Sequence, residues 1–283
     1  MKYGLVKSIL AAAGGVLLLS SCAPPPPVSR PDLGTARQRL AAEDFAAALD
    51  SYAAMTESYP EDRGLIKEFK EAAEKIKKSA DVRFAERDFA AAEKTYSLLV
   101  ENFPRFAEFE RSLSFGTESL SGRIRECQIR LSERRARQSL AEGDYLRVLD
   151  GFKVLPPEVL QDPAQSAGLR RIMEETKGLA DKALARKDFV AAGKGYAVLW
   201  REYALARQAG LALTFSLSDA EERLKSCRAQ LTREGLDQYR KGNLADAIAI
   251  WQGLLQFDPE NVEILKAVET ASEQLKKLQK KQG

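Results

Sequence analysis

Five segments of the chain share one order of small, aromatic and polar residues. They are AAEDFAAALDSY (41–52), AERDFAAAEKTY (85–96), AEGDYLRVLDGF (141–152), ARKDFVAAGKGY (185–196) and RKGNLADAIAIW (240–251). In the first segment, apolar residues from Phe45 to Met55 recur at the three- and four-residue spacing of one helix face. Asp44 precedes that face, and its carboxylate can accept hydrogen bonds from free backbone amides where a helix begins. Each segment therefore predicts a turn between two helices.

The predicted packing at each turn combines small residues with one large side chain. Pairs of small residues such as Ala47 and Ala48 allow two helices to approach closely. The seam between the helices is filled by a large residue of each segment: Tyr52, Tyr96, Phe152, Tyr196 and Trp251. The segments therefore predict helical hairpins that bury their apolar faces against one another.

The spacing of the segments indicates an internal duplication. The landmark of each segment is the residue after its Asp or Asn: Phe45, Phe89, Tyr145, Phe189 and Leu244. These landmarks lie 44, 56, 44 and 55 positions apart, and ARQRL at 36–40 returns as ARQSL at 136–140. We predict an all-α solenoid of about five hairpins with unusually long helices, built from a duplicated unit of about 100 residues. The predicted domain spans 34–283, with repeats near 36–60, 62–104, 118–156, 164–203 and 218–259 and a polar cap at 260–283.

The last segment with its flanks, YRKGNLADAIAIWQGLLQFDPEN, resembles the tetratricopeptide repeat. Gly242 and Asn243 fall at the turn, Ala247 at the small packing position, Trp251 at the large one and Pro259 at the closing proline. The resemblance implies an α-solenoid that binds other proteins.

The resemblance covers about 36–270 and weakens toward the earlier repeats, which match mainly at the turn and at the small and large positions. The repeats run 44 to 56 residues, whereas a standard repeat has about 34. The surplus lies in long first helices and in two inserts, at 104–117 and 204–217. The binding geometry of standard arrays therefore does not transfer directly.

The amino-terminal sequence MKYGLVKSILAAAGGVLLLSSC predicts an export signal over 1–21. Lys2 and Lys7 provide its positive start. The apolar core at 9–19 is too short for a helix of about 20 residues that would cross a membrane. One interpretation of this segment is an ordinary secretory signal that is cleaved near SCA, at 21–23; the other follows from its last four residues.

The end of this segment, LSSC, resembles the lipobox of bacterial lipoproteins. The resemblance implies cleavage before Cys22, a diacylglycerol on its sulfur and an acyl chain on its amino group. Ala23 stands where an aspartate would favour retention at the inner membrane, so the resemblance implies a lipid anchor in the outer membrane. We expect the chain to face the periplasm; the alternative is the cell surface. Five prolines follow within 23–31 and predict an extended tether over 22–33, of roughly 28 Å.

Composition narrows the chemistry that the chain can carry out. It has 283 residues, with 44 Lys and Arg against 41 Asp and Glu, so overall charge gives no case for nucleic acid. Histidine is absent, which excludes Ser-His and Cys-His nucleophiles. Gly193-Lys194-Gly195 lacks the first glycine and the following Ser or Thr of a phosphate loop. We expect no catalytic residue, cofactor site, metal site or small-molecule substrate.

Cys127 and Cys227 occupy equivalent places in the two units. Without histidine they make no plausible zinc site. Two hairpins separate them, a distance of about 20 Å or more, whereas a disulfide requires Cα atoms within about 7 Å. We expect two buried free thiols that act as small apolar residues.

Two groups of residues are candidates for partner binding. Arg123, Arg130, Arg134 and Arg137 fall on one helical strip and form either a patch for an acidic partner or a solvated face with Glu126–Arg130 and Glu133–Arg137 pairs. Phe106, Phe109 and Phe115 in the first insert, like the apolar second insert, form either an exposed binding ledge or short helices packed over the solenoid edge.

These features favour a non-catalytic scaffold of the bacterial cell envelope that binds other envelope proteins or peptides. The resemblance implies an accessory role in the assembly of outer-membrane proteins, pili or secretion complexes. The alternatives are a structural spacer and a regulator of a periplasmic cell-wall enzyme. The surface of the solenoid discriminates between them, because a binding protein should carry a contiguous apolar or one-sign groove.

Overall fold

The computed structural model describes residues 33–282 of the chain. This range contains thirteen α-helices and three short 3₁₀ helices, with no strand among the described residues. The helices are α1 (Leu33–Ala41), α2 (Phe45–Ser58), α3 (Arg63–Ala85), α4 (Phe89–Asn102), α5 (Thr117–Glu142), α6 (Asp150–Lys153), α7 (Pro157–Gln161), α8 (Pro163–Ala185), α9 (Phe189–Arg201), α10 (Tyr203–Gln208), α11 (Leu217–Arg240), α12 (Leu244–Leu255) and α13 (Val262–Gln282). The predicted signal segment and Cys22 lie outside the described residues, as does the tether apart from Leu33.

The helices pack in sequence order, as in a solenoid. Each of the helices α1 to α4 packs on the helix that follows it, which brings the series to α5. The series then runs through α8, α9, α11, α12 and α13. Because each helix buries its apolar face on its neighbours in the chain, the fold is an all-α solenoid, as predicted. Within residues 33–282, no helix combines the length and apolarity that crossing a bilayer requires.

The five hairpin turns share one backbone geometry. The residue before each predicted cap has a positive φ between 60° and 80°: Glu43, Arg87, Gly143, Lys187 and Gly242. In three of the five turns, the aspartate that follows caps the next helix with its side chain. Asp44, Asp88 and Asp188 each accept a hydrogen bond from the backbone N–H three residues later, at 3.4, 3.2 and 3.0 Å. The left-handed residue reverses the chain, and the aspartate then satisfies a free amide of the next helix.

The predicted seam is present in every repeat. The small position is completely buried in four of them, at Ala48, Ala92, Ala192 and Ala247. The five large residues predicted for the seam are no more than 3% exposed. These positions confirm that helical spacing in the sequence marks the packed face of each hairpin.

The duplication extends to individual hydrogen bonds. The Tyr96 hydroxyl donates to Asp81 at 2.7 Å, and the Tyr196 hydroxyl donates to Asp181 at 2.5 Å. A lysine four residues before each aspartate completes the cluster, at 2.7 Å in the first unit and 2.6 Å in the second. Since the same three side chains recur 100 positions apart, the two units share their detailed packing as well as their helix order.

The third hairpin departs from the prediction. Instead of one second helix over 145–156, the chain forms a 3₁₀ turn at Tyr145–Arg147 and the four-residue α6. Gly151 lies directly against α5, where an added Cβ would be 3.1 Å from Ser132, and its carbonyl accepts the Ser132 hydroxyl at 2.8 Å. Pro156 and Pro157 then end the segment, because proline lacks the N–H that a helix interior needs.

The short α6 coincides with a change in how the long first helices meet. Helix α4 stands between α3 and α5, and α9 stands between α8 and α11, whereas α5 and α8 pack directly on each other. The first half of α5 belongs to the apolar core of the first unit, and its second half, from Ile129, belongs to that of the second unit. Helix α5 is therefore the joint between the two units.

Candidate partner-binding cleft

The three phenylalanines of the first insert do not form a binding ledge. Phe106, Phe109 and Phe115 are at most 7% exposed. Phe106 and Phe109 close over Phe69 of α3, with ring centroids 5.5 and 5.2 Å from the Phe69 ring. Phe215 of the second insert is also buried. The exposed-ledge interpretation is therefore wrong for these residues, because aromatic contacts with the solenoid cover their apolar surface.

The arginine strip, in contrast, lies along an open cleft on the face carried by the long first helices. Arg130, Arg134 and Arg137 of α5 form one wall. The end of α3 and the turn after it form the other wall, which includes Arg87. We call this space, of about 600 Å³, the arginine cleft; its lining residues are Phe84, Ala85, Arg87, Phe89, Arg130, Glu133, Arg134 and Arg137.

Two half-buried aromatic rings position arginines at the cleft. Phe84 and Phe89 meet edge to face at 5.3 Å. The Arg134 guanidinium lies over the Phe89 ring at 5.6 Å and donates to the Arg87 carbonyl at 2.6 Å. The Arg123 guanidinium lies over the Phe84 ring at 4.9 Å, just outside the cleft. Because guanidinium groups stack on aromatic faces with donors left over, both side chains are oriented without being saturated.

The other two arginines are held loosely. Arg130 reaches Glu133 and Glu126 at 3.5 and 3.8 Å, so the predicted Glu126–Arg130 pair is present but long. Arg137 approaches Glu175 of α8 at 3.4 Å. Charge-assisted hydrogen bonds between nitrogen and oxygen normally measure about 2.7–2.9 Å. Both guanidinium groups therefore retain donors that a ligand could use.

The predicted Glu133–Arg137 pair does not form. Glu133 turns into the α5–α8 contact, where its side chain is 5% exposed and accepts a hydrogen bond from Arg171. Gly168 of α8 makes room for it, since an added Cβ would lie 2.6 Å from the carboxylate Oε1. The only acidic residue that lines the arginine cleft is thus buried and already paired.

The equivalent face of the second unit has the opposite charge. Along α5 the strip reads Ser119, Arg123, Glu126, Arg130, Arg134 and Arg137; along α11 it reads Asp219, Arg223, Ser226, Gln230, Glu234 and Asp237. The strip on α5 therefore has four arginines and one acid, whereas the strip on α11 has one arginine and three acids. A second cleft, of about 730 Å³, lies between α8 and α11 and carries Asp181, Asp219 and Glu222 besides Lys177 and Arg223.

Asp181 at the floor of the second cleft is ionised. Burial opposes its charge, but hydrogen bonds from Lys177 and Tyr196 keep the pKa of this carboxyl below its ordinary value. The same burial, together with the hydrogen bond to Asp181, raises the pKa of Tyr196 well above its usual range. The floor of the second cleft is therefore a fixed polar cluster with a negative carboxylate at its centre.

Both described cysteines are buried and free, as predicted. Burial raises the pKa of Cys127 to about 12 and that of Cys227 to about 11. We expect neither thiol to react with an aqueous disulfide reagent at about pH 8 until the protein unfolds, because the thiolate is the reactive species. Peptide mapping after labelling checks this at each cysteine separately; fast labelling of the folded chain or a Cys127–Cys227 crosslink would contradict it.

The sequence predicts the arginine strip but not the residues across the cleft from it. Arg87 and Phe89 belong to the second repeated segment, and Phe84 lies just before that segment. The turn at Arg87 carries these residues to the side of α5, because α4 packs on both α3 and α5. In residues 33–282, no group of three or more His, Cys, Asp or Glu residues is placed to hold a metal ion.

Comparisons with known proteins do not identify a family for the chain. No protein-family model and no curated protein matches the chain. Among solved structures it is similar to a "Circular tandem repeat protein with novel repeat topology and enhanced subunit contact surfaces", at 18% identity and a TM-score of 0.23. The match covers 87% of this chain and 60% of that protein, so this chain spans less than two thirds of the length of that protein. At that TM-score the match carries no argument, and the fold assignment rests on the helix pairing.

Proposed function

We propose that the chain is a non-catalytic, lipid-anchored scaffold of the bacterial cell envelope whose tetratricopeptide-like solenoid binds other proteins. The observation that carries the proposal is the arginine cleft, an open groove along the long first helices that is lined by four arginines and a single, buried acid. A structural spacer needs an evenly mixed surface, whereas this cleft concentrates positive charge at one place, and the second cleft, with three acids and two basic residues, does not repeat it. A local concentration of one charge favours selective partner recognition.

The tetratricopeptide part of the proposal is supported by the turn and seam geometry. In the last repeat, Gly242 has a φ of 80°, Ala247 is fully buried and Trp251 is 3% exposed. These are the turn, small and large positions on which the resemblance was based. A scaffold of stacked hairpins presents its clefts without a large ordering cost of its own backbone, so that less of the free energy of the contacts with a partner is lost on binding.

The anchor part of the proposal rests on the sequence before Leu33. One acyl chain holds a protein to a bilayer only marginally, but several chains hold it stably, which suits the triacylated cysteine proposed at Cys22. We propose that the tether displays the solenoid in the periplasm at the inner surface of the outer membrane. There it would assist the assembly of outer-membrane, pilus or secretion complexes.

Two measurements test the proposal. In living bacteria, a photo-crosslinking residue replaces Ala85 in the arginine cleft, Ser226 in the second cleft or, as a control, Lys276 on α13. We expect one or more discrete protein adducts from the cleft positions and none from the control. Adducts of equal yield at all three positions, or at none, would count against a binding scaffold.

The anchor is tested in the same cells with an alkyne analogue of palmitate. We expect the wild-type chain to incorporate the label and the Cys22→Ser variant to lose it and to leave the membrane fraction. A Cys22→Ser variant that stays with the membrane would refute the lipid anchor while leaving the binding proposal standing.

A further inference from the structure

We infer that the arginine cleft binds a short acidic segment of a partner polypeptide, an inference that deepens the proposed function and rests on it. Its basis is an imbalance of charge at one place in the fold. Arg87, Arg130, Arg134 and Arg137 line the cleft, and the single acid among the lining residues is Glu133. Because Glu133 is buried and paired with Arg171, the open surface of the cleft is positive.

The geometry of the arginines suits carboxylates. Arg134 is fixed between the Phe89 ring and the Arg87 carbonyl, a hydrogen bond that occupies one of the five N–H donors of its guanidinium. Arg130 and Arg137 make only long contacts with acids and can rotate toward a ligand. Planar guanidinium groups bind carboxylates through two parallel hydrogen bonds, so three neighbouring arginines fit a run of Asp or Glu side chains.

The second unit shows that the fold does not require these arginines. Helix α11 makes the same pairing with α9 that α5 makes with α4. At the places of Arg130, Arg134 and Arg137 it carries Gln230, Glu234 and Asp237, and Gln230 donates to Glu234 at 3.0 Å. The packing of α5 on α4 thus needs no arginine at these places. The positive charge of the first unit therefore points to something that binds there.

The second cleft limits how far an anion can extend. Three acids line it against two basic residues, so a long polyanion running along this face would find no excess of positive charge there. The whole chain carries only a small excess of basic residues, 44 against 41, and offers no extended positive field for nucleic acid. A short acidic stretch within a polypeptide satisfies both conditions, because its flanking residues need not be charged.

The test uses the full chain, purified in detergent, and a fluorescein-labelled peptide of about eight glutamates, more than enough to span the roughly 10 Å between Arg130 and Arg137 along α5. Binding is followed by fluorescence anisotropy at about 50 mM salt, where screening is modest. The diagnostic variant is Arg130→Gln, Arg134→Glu, Arg137→Asp, which copies the residues of the second unit and is therefore compatible with the helix. We expect it to weaken binding roughly tenfold or more.

A matched control carries the same change in charge elsewhere. Lys241→Gln, Arg207→Glu, Lys276→Asp alters exposed residues of the second unit and of α13. We expect this variant to bind the peptide within about twofold of the wild type, since distant exposed charges are screened. Circular dichroism on all three proteins checks that the helices are retained.

The inference fails if the peptide does not bind, and four other results would also overturn it. They are equal loss in both variants, comparable binding of a lysine peptide, tighter binding of single-stranded DNA of equal charge, and self-association of the chain that the peptide displaces. The last two would identify a nucleic acid or a second copy as the occupant. Cleft crosslinks in cells without peptide binding would remove only this inference, whereas peptide binding without any cellular adduct would remove the proposed function.

Discussion

Replacing Phe69 with alanine is expected to lower the free energy of unfolding by about 3–5 kcal/mol, the usual cost of deleting a buried phenylalanine. Phe69 is completely buried in α3. Its ring stacks on Tyr52 at 5.7 Å and meets Phe106 and Phe109 edge to face. The substitution would open a cavity between α2, α3 and the first insert, and rigid aromatic neighbours close such a cavity poorly.

The effect should stay within the first unit, because a solenoid is stabilised mainly by contacts between neighbouring helices. Denaturant unfolding followed by circular dichroism measures the loss of stability, and amide hydrogen exchange locates it. We expect faster exchange in α2 to α4 and unchanged exchange in α12 and α13. Val82→Ala, at a half-exposed site of the same helix, should change stability by less than about 0.5 kcal/mol. A Phe69→Ala loss no larger than this control would show that the aromatic cluster contributes little.

The hairpins and their seams could be predicted because their signals are local. A capping aspartate, a small residue three positions after the landmark and a large one seven positions after it suffice to mark a packed helix pair. Ala48 in the first segment and Ala247 in the last both lie three positions after the landmark, and both are completely buried. Such positions depend on helix periodicity alone, which the sequence displays directly.

The errors arose where distant residues decide the outcome. Gly151 fits against Ser132 only because α5 is already in place, and this contact accompanies the break in the third hairpin. With α6 short, α5 meets α8, and Glu133 enters that contact to pair with Arg171 instead of Arg137. The ion-pair partner of Glu133 thus depends on the packing of α8, whose Arg171 is 38 positions away in the sequence. In the insert, the burial of Phe106 likewise depends on Phe69, which no local pattern links to it.

The same dependence on packing governs the second large effect, at Gly235 of α11. A Cβ added there would lie 2.1 Å from the Trp251 Nε1 and 2.5 Å from its Cδ1. We expect Gly235→Ala to lower the free energy of unfolding by about 1–3 kcal/mol through overpacking. The helix preference of alanine, worth up to about 1 kcal/mol over glycine, opposes this loss without cancelling it.

Gly178 supplies the matched control, because it lies in the long helix α8 with no atom within 4 Å of an added Cβ. Gly178→Ala should therefore stabilise the protein by about 0.5–1 kcal/mol, so that the two glycine substitutions have opposite signs.

Trp251→Leu should relieve the clash and make the double variant with Gly235→Ala less damaging than the sum of the single ones. The Trp251 Nε1 is buried without a hydrogen-bond partner, so removing the indole breaks no hydrogen bond that would obscure the comparison. Additive losses would mean that α11 and α12 separate to accommodate alanine, and that close approach at Gly235 is not what holds the last hairpin together.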